Sequence, residues 1–187
     1  NTDTLTGLNN RSKLIEDLEK LSEPVLILFD IDNFKQLNDF YGFKFGDNVI
    51  KVLGDELKNI FKNSYYTLYR FGGDQFGVLA ETFEEYELIE FKIKDIIEKI
   101  SNKEFFIEPN TISFHISAGI AFGDKNYIIT NSDVALKTAK KRQLDYVVFS
   151  NEIQTSQEYK NNLFWIHEIK KAIKDDRIVP YYQGIYN

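Results

Sequence analysis

The sequence contains no cysteine and no methionine, and it has only two histidines and three prolines in 187 residues. The absence of cysteine excludes a disulfide scaffold, a thiolate metal site and a cysteine nucleophile. With His115 and His167 as the only histidines, a multi-histidine metal centre is not expected. No apolar run approaches the roughly 20 residues of a membrane helix, and no signal-peptide pattern opens the chain. The chain begins at Asn1 without a methionine, so we expect a piece of a longer protein.

Acidic residues are only slightly in excess: the chain has 29 acidic and 23 basic residues and a formal net charge of −6. This acidic balance argues against a surface built to hold nucleic acid. A hydrophobic content of 43%, with 15% aromatic residues, is enough for a folded core. We therefore expect a soluble domain on the cytoplasmic side of the cell, with no membrane contact of its own even if the parent protein is membrane-tethered.

Hydrophobic periodicity predicts a mixture of helices and strands. Val25 to Phe29 is an apolar run too short for a helix, which is typical of a strand buried on both faces. Apolar runs at 65–71 and 75–80 enclose a Gly-Gly-Asp turn and predict a tight hairpin. Further strands are predicted at 104–107, 111–122 and 146–149, and helices between Asn10 and Pro24 and at 47–61, 84–100 and 133–141. This order favours an α+β domain with a central, mostly antiparallel five-stranded sheet flanked by helices.

The character of the chain changes after residue 150. Residues 151–177 read as a polar linker that includes a helix at 163–174. Residues 178–187 include a short apolar run with no partner strand nearby in the sequence. Because a strand needs neighbours to be stable, we predict that this run is the first strand of a second, truncated domain that follows the domain at 1–150.

Two acidic residues at turns are the strongest candidates for chemistry. Asp30 closes the buried strand, and Asp74 lies at the tip of the Gly-Gly hairpin. If the two strands are neighbours, both carboxylates reach one edge of the sheet and could bind a hard cation such as Mg²⁺. Lys35 and Arg70 flank the region and could meet phosphate. A plainer interpretation stays open at this point, because an aspartate after a strand is often a helix cap and this turn sequence is common.

Four segments of the chain, in order, resemble the motifs of the GGDEF family and span residues 3–149. The segments are Asp3 to Arg11 (DTLTGLNNR), Phe29 to Asp47 (FDIDNFK, then ND, G and GD), Arg70 to Phe76 (RFGGDQF) and Asp133 to Lys140 (DVALKTAK). The resemblance implies the palm-like fold of a diguanylate cyclase. Such an enzyme condenses two GTP into cyclic di-GMP and two pyrophosphates, with two domains meeting face to face as a homodimer.

The resemblance also implies roles for individual residues. Asp30, Asp74 and the backbone carbonyl of Ile31 would bind Mg²⁺, two ions per GTP in an active enzyme, and Asp74 with Gln75 would form the catalytic part of the motif. The residues implied in binding GTP are Asn38 and Asp47, which would read the guanine edge, Gly72 and Gly73, which would let the backbone approach the nucleotide, and Lys35 and Lys140, which would neutralise the triphosphate.

The chain departs from the family pattern at several positions near this site. Gln75 stands where the motif has glutamate, Phe43 where it has histidine, and Leu144 where arginine usually follows the late lysine. Lys141 or Arg142 could supply the missing cation. The product-inhibition motif RxxD would fall at 63–66, and neither end matches.

These departures favour a domain that binds GTP with reduced or lost cyclase activity. Two alternatives are a fully active cyclase and a dimerisation module without a small ligand, which would regulate a phosphodiesterase. The last alternative draws on Tyr181 to Ile185 (YYQGI), which resembles the first strand of an EAL phosphodiesterase domain. An adjacent EAL domain in the parent chain is therefore an expected partner.

Two smaller features have plainer interpretations. His115 is predicted to be a core or interface residue rather than a ligand. The aromatic cluster Phe40, Tyr41, Phe43 and Phe45 is predicted to belong to the core, although a role as a lining of the guanine pocket stays open.

Overall fold

The structure is a computed structural model and describes residues 1–82, 85–150 and Lys171. The chain divides into two compact units, Asn1–Phe149 and Ser150–Asn187, and every described strand lies in the first. The predicted linker helix and the predicted strand at 178–187 lie outside the described residues, except that Lys171 is helical. No helix in the described part of the chain is long and apolar enough to cross a membrane.

Eight strands and five helices make up the described part of the first unit. The strands are β1 (Asn9–Asn10), β2 (Pro24–Ile31), β3 (Thr67–Gly72), β4 (Gln75–Glu81), β5 (Phe105–Ile107), β6 (Asn110–Ile112), β7 (Ile116–Phe122) and β8 (Tyr146–Val148). The helices are α1 (Arg11–Leu18), α2 (Phe34–Tyr41), α3 (Phe43–Phe61), α4 (Tyr86–Ser101) and α5 (Ile128–Arg142).

Six of the strands form one sheet in the order β1-β3-β4-β2-β7-β8, and β5 and β6 form a separate hairpin. The β2–β4, β2–β7 and β3–β4 pairs are antiparallel, whereas the two outermost pairs are parallel. The prediction of an α+β fold with a mostly antiparallel sheet is confirmed, but the sheet has six strands rather than five. The missed strand is β1, which has two polar residues and no hydrophobic pattern.

Strand β2 lies at the centre of the sheet, and all eight of its residues are buried. Successive side chains of a strand point to opposite faces, so β2 contributes to both hydrophobic clusters of the unit. One face packs with α3 and α4 through Val25, Ile27, Phe29, Val49, Leu53, Ile93 and Ile97. The other face packs with α1 and α5 through Leu14, Leu18, Leu26, Leu28 and Leu136. The continuous apolar run is therefore explained by helices on both faces of the sheet.

Several element boundaries differ from the sequence-based prediction. The strand predicted at 111–122 is two strands, because β6 pairs with β5 while β7 pairs with β2 in the main sheet. Helix α3 begins at Phe43 rather than Asp47; its first two residues are exposed and Gly46 follows them, so the apolar spacing of the helix becomes regular only after this turn. Helix α5 begins at Ile128 rather than Asp133; the polar residues between these two positions interrupt the apolar spacing.

Gly119 provides a test of this packing. A Cβ atom at Gly119 would lie 2.2 Å from the carbonyl oxygen of Ser132 and 2.3 Å from the amide nitrogen of Leu136, both in α5. We expect Gly119→Ala to lower the free energy of unfolding by about 2–3 kcal/mol, because a backbone segment has to move. Urea unfolding measures this change.

The matched control is Gly54→Ala in α3, where the nearest atom to a new Cβ is a ring carbon of Phe76 at 3.3 Å. Alanine also gains about 1 kcal/mol of helix propensity over glycine. We therefore expect a change of less than about 1 kcal/mol for the control. Equal urea midpoints for Gly119→Ala and the unaltered protein would contradict the close contact between β7 and α5.

Candidate functional site

The two acidic residues singled out by the sequence meet at one edge of the sheet. Asp30, near the end of β2, is opposite Gln75 of β4 and Ser117 of β7. Asp74 lies in the turn that joins β3 to β4. Burial raises the pKa of Asp74, and the negative charge of Asp30 raises it further. Both effects favour the neutral form of Asp74, and the positive charge of Lys140 opposes them.

Both carboxylate oxygens of Asp30 accept hydrogen bonds. Nε2 of Gln75 donates to Oδ2 at 3.0 Å, and the Lys140 ammonium group donates to Oδ1. Asp30 is only 6% exposed, so these two contacts stabilise a nearly buried charge. A glutamate at position 75 would add a third carboxylate, whereas the amide of Gln75 supplies a donor.

Arg70 of β3 holds the turn that carries Asp74. Its Nη1 donates to the carbonyl oxygens of Gly72 and Gln75, at 3.2 and 2.7 Å, and its guanidinium carbon lies 4.9 Å from the centroid of the Phe76 ring. Arg70 is 6% exposed, and burial lowers its pKa. The expectation that Arg70 meets phosphate is wrong in this structure, because its Nη1 is bonded to the carbonyls of the turn.

The glycines of the turn leave its backbone uncovered. Gly72 has φ +139° and Gly73 has φ +57°, both in the region that side chains rarely adopt, and a Cβ on either would meet no atom within 4 Å. Ile31, the last residue of β2, has a fully buried side chain and is opposite Ile116 of β7. Its role as a ligand would involve the backbone alone.

The predicted guanine-binding residues lie where α2 meets α3. A Cβ on Gly46 would be 1.9 Å from Oδ1 of Asn38, so only glycine allows this approach. Oδ1 of Asn38 is buried and has no hydrogen-bond partner among the described residues. Asp47, the next residue of α3, is exposed. The structure thus places a buried acceptor without a described partner against Gly46, and an exposed carboxylate on the next residue of α3.

Other predicted residues lie apart from the acidic pair. Lys35 is exposed on the first turn of α2 and forms no ion pair with the residues that the structure describes. Phe40 and Phe43 are 80% and 78% exposed, so the prediction of a core cluster is wrong for them. Their helix ends extend beyond the core. Phe45 is buried, and the ring of Tyr41 stacks on it at 4.5 Å.

Sequence reasoning missed a polar cluster next to Lys140. Nδ1 of His115 lies 2.7 Å from Oδ2 of Asp32, and Oγ of Ser117 donates to both oxygens of Asp32 at 2.9 Å. The His115 side chain is 42% exposed, so the core half of its predicted role is wrong, whereas a role as an interface residue stays a prediction. The polar spacing of residues 115 and 117, typical of one strand face, was the signal that could have revealed the cluster.

The donor set fits a metal ion only in part. Within 1–82, 85–150 and Lys171, no group of three or more His, Asp or Glu side chains is arranged to hold a metal. Asp30 and Asp74 provide two carboxylates, and a cation between them would favour the charged form of Asp74, which burial and the charge of Asp30 disfavour. Mg²⁺ keeps several waters or phosphate oxygens as ligands. The pair therefore fits Mg²⁺ if a bound phosphate and water complete the coordination.

Fold and site together define a class: α+β domains with an acidic pair and a glycine turn at the edge of a mostly antiparallel sheet. The family model described as "Diguanylate cyclase, GGDEF domain" matches residues 1–145. The chain belongs to this family, the GGDEF domains of cyclic di-GMP signalling.

Similar proteins from bacteria carry two kinds of name. The chain is 29% identical to the cyclic di-GMP phosphodiesterase PdeR of Escherichia coli, over 98% of the chain and 29% of PdeR. It is 30% identical to the diguanylate cyclase DgcZ of the same organism, over 81% of the chain and 54% of DgcZ. The chain thus spans about half or less of the length of these relatives.

Solved structures share the fold. The GGDEF domain of TpbB (YfiN) from Pseudomonas aeruginosa superposes with a TM-score of 0.78 at 21% identity, covering 84% of this chain and 99% of that one. The coiled coil and GGDEF domain of DgcB from Caulobacter crescentus, solved with c-di-GMP, gives 0.70 at 22% identity, covering 79% and 84%.

The repulsion between Asp30 and Asp74 predicts a stability change. A folded-state pKa raised above the unfolded value of about 3.9 means that ionisation of Asp74 destabilises the fold at neutral pH. We expect Asp74→Asn to raise the melting temperature at pH 7, without divalent cations, by up to a few degrees. The difference should shrink as the pH falls towards about 4. Scanning calorimetry in EDTA measures it.

Asp39→Asn is the control, since this exposed carboxylate of α2 forms no hydrogen bond with the described residues and should leave the melting temperature unchanged. A lower melting temperature for Asp74→Asn at pH 7 would show that the two carboxylates do not repel each other in the folded protein.

Proposed function

We propose that this domain binds GTP with Mg²⁺ at the Asp30–Asp74 edge and that it makes cyclic di-GMP slowly or not at all. The observation that carries the proposal is the state of Asp30. The neighbouring Asp74 is retained. However, the side chain that is hydrogen-bonded to Oδ2 of Asp30 is the amide of Gln75, where the family motif has a carboxylate.

Asp30, Asp74 and the backbone carbonyl of Ile31 would hold Mg²⁺. The bound ion supplies positive charge against the phosphates and against charge that develops on them. The two carboxylates would hold a single Mg²⁺ ion more strongly than they would hold two ions. An amide oxygen carries no charge, and Gln75 already directs its Nε2 to Asp30. A second ion would therefore be held weakly, which is the physical reason for expecting reduced catalysis.

Asn38 and Asp47 would recognise the guanine. The base offers its N1–H and 2-amino group as donors, and Oδ1 of Asn38 is a buried acceptor without a partner in the described part of the chain. A site with an unpaired buried polar atom favours the ligand that satisfies it. The exposed carboxylate of Asp47 is a second acceptor for the same edge of the base.

The phosphates would lie against the glycine turn. No side chain covers Gly72 or Gly73, so phosphate oxygens can approach the backbone there. Lys140 neutralises Asp30 through its ammonium group and is placed to turn to a phosphate when a cation replaces it. Lys35 is exposed and unpaired among the described residues, and it is a second cation for the triphosphate.

Cyclase chemistry in this site would require a second copy of the domain. The 3′-oxygen of one GTP forms a bond to the α-phosphorus of the other, the bond from that phosphorus to the bridging oxygen breaks, and pyrophosphate leaves. Asp74 would take the proton of the 3′-hydroxyl. Because burial and the nearby Asp30 raise its pKa, Asp74 is a stronger base than an ordinary aspartate.

A regulatory role towards a phosphodiesterase domain is supported by the extent of the sequence matches. The relatives named cyclic di-GMP phosphodiesterases (PdeR, NbdA and PdeB) align with 98–99% of the chain. The relatives named diguanylate cyclases (DgcZ and DgcP) align with 81% and 77%. Residues beyond the GGDEF match are thus shared with the phosphodiesterases. We infer that an EAL domain follows in the parent chain and responds to GTP bound here.

The first test is GTP affinity. Isothermal titration calorimetry of the 187-residue chain with GTP and Mg²⁺ should show binding, and Asn38→Ala should weaken it about tenfold, because the guanine loses its buried acceptor. Asn63→Ala is the control, since Asn63 is exposed in the turn that follows α3. If the unaltered chain does not bind millimolar GTP, the nucleotide function is wrong and a dimerisation module takes its place.

The second test is turnover. Chromatography of the GTP mixture should detect little or no cyclic di-GMP, and Gln75→Glu should raise its rate of formation at least about tenfold by restoring the charge that holds a second ion. Gln36→Glu, an exposed glutamine of α2, controls for added charge. Product formed by the unaltered chain as fast as by Gln75→Glu would show a fully active cyclase instead.

A further inference from the structure

A cavity of about 300 Å³ opens beside Lys140. Its lining residues are Asp32, Asn33, His115, Ser117, Lys140, Gln143, Leu144 and Asp145. Lys140 connects the cavity to the acidic pair, because its ammonium group contacts Asp30 and lies 3.9 Å from Oδ1 of Asp32. Phosphates of a nucleotide held at Asp30 and Asp74 would therefore have this cavity as a neighbouring space.

His115 has one ring nitrogen fixed and the other near the cavity mouth. Nδ1 donates to Asp32 at 2.7 Å, and Asp32 is itself held by the hydroxyl of Ser117. Nε2 lies 3.3 Å from Oδ1 of Asp145, whose side chain is 53% exposed. The first contact orients the ring. The second is long and exposed, so it contributes little and is easily exchanged for another acceptor.

The cavity lacks the arginine expected from the family pattern. Leu144 stands at that position and is 46% exposed. Lys141 and Arg142, which the sequence offered as substitutes, are exposed and do not line the cavity. Among the lining residues, Lys140 and His115 are the only ones that can carry positive charge. The tertiary structure therefore offers His115, rather than Lys141 or Arg142, as the replacement for the missing arginine.

We propose that His115 is a phosphate-binding residue of this domain, with its Nε2 donating to the phosphate end of the nucleotide in place of Asp145. Asp32 is the positioning residue: its carboxylate on Nδ1 orients the ring so that Nε2 points to the cavity side, where its present neighbour is the carboxylate of Asp145. Asp145 competes with the phosphate for Nε2. The inference deepens the proposed GTP binding and rests on it.

Charge supports an exchange of acceptors. Asp145 offers one negative charge at the exposed rim, whereas a triphosphate offers several, shared between His115 and Lys140. A hydrogen bond between two charged groups is roughly twice as strong as a neutral one. Removing the charge of Asp145 should therefore release Nε2 and strengthen phosphate binding, whereas removing the imidazole should weaken it.

The experiment compares GTP with guanosine by calorimetry, since guanosine has the base and no phosphate. His115→Ala should lower GTP affinity about tenfold and leave guanosine affinity unchanged. Asp145→Asn should raise GTP affinity two- to threefold, again without effect on guanosine. Lys141→Ala removes a positive charge from α5, the helix that carries Lys140, at a position that does not line the cavity. It should alter neither affinity.

A spectroscopic measurement follows the His115 ring in the unaltered chain, and the variant serves only for assignment. The chain has two histidines, so proton NMR follows two sets of ring signals, assigned with the His115→Ala variant. Titration with GTP should shift the His115 signals, whereas guanosine should not.

The outcomes separate this inference from the function on which it rests. Binding of neither GTP nor guanosine by the unaltered chain overturns both. Binding of both ligands with an unchanged affinity ratio in His115→Ala, or loss of GTP affinity in Lys141→Ala instead, overturns the role of His115 alone. The expected loss for GTP only, together with the shift of the His115 signals, establishes it.

Discussion

The burial of Asp30 is the constraint on which the rest of the site depends. A carboxylate at 6% exposure needs partners, and the fold supplies them from two directions. Lys140 comes from α5 and Gln75 from β4. Asp74 adds a second negative charge beside them, held in place by a turn that Arg70 ties at both ends. The site is thus a balance of charges, which a cation and phosphates would complete in the function proposed above.

Two departures from the family pattern alter this balance in the same region. Gln75 removes negative charge next to Asp30, and Leu144 removes positive charge from the cavity beside Lys140. An amide that donates to Asp30 fits one strongly bound ion. His115, oriented by Asp32 and Ser117, is placed to replace the cation lost at position 144. Both changes are compatible with a domain that retains nucleotide binding while losing catalysis, as a regulatory domain would require.

Much of the fold could be predicted because its signals are local. The apolar run of β2 and the Gly-Gly turn are read from a few adjacent residues. An asparagine at residue 9 or 10 is a suitable cap for the first helix, and the structure selects Asn10, whose Oδ1 accepts from Lys13 N–H at 3.1 Å. Strand β1 could not be predicted, because its two asparagines gain strand geometry only by pairing with Tyr69 and Arg70. The split between β6 and β7 also depends on which sheet each segment joins.

The sequence by itself determined the acidic pair, the glycine turn and the family, because motifs of a few residues carry all three. Only the tertiary structure decided what each charge contacts. Lys140 and Asp30 are 110 positions apart, and His115 and Asp32 are 83 apart, so no local pattern links them. Likewise, the exposure of Phe43 and the contact of Asn38 with Gly46 follow from how α2 and α3 meet. The sequence specifies the chemistry of each side chain, but packing across the sheet determines which side chains contact each other and which are buried.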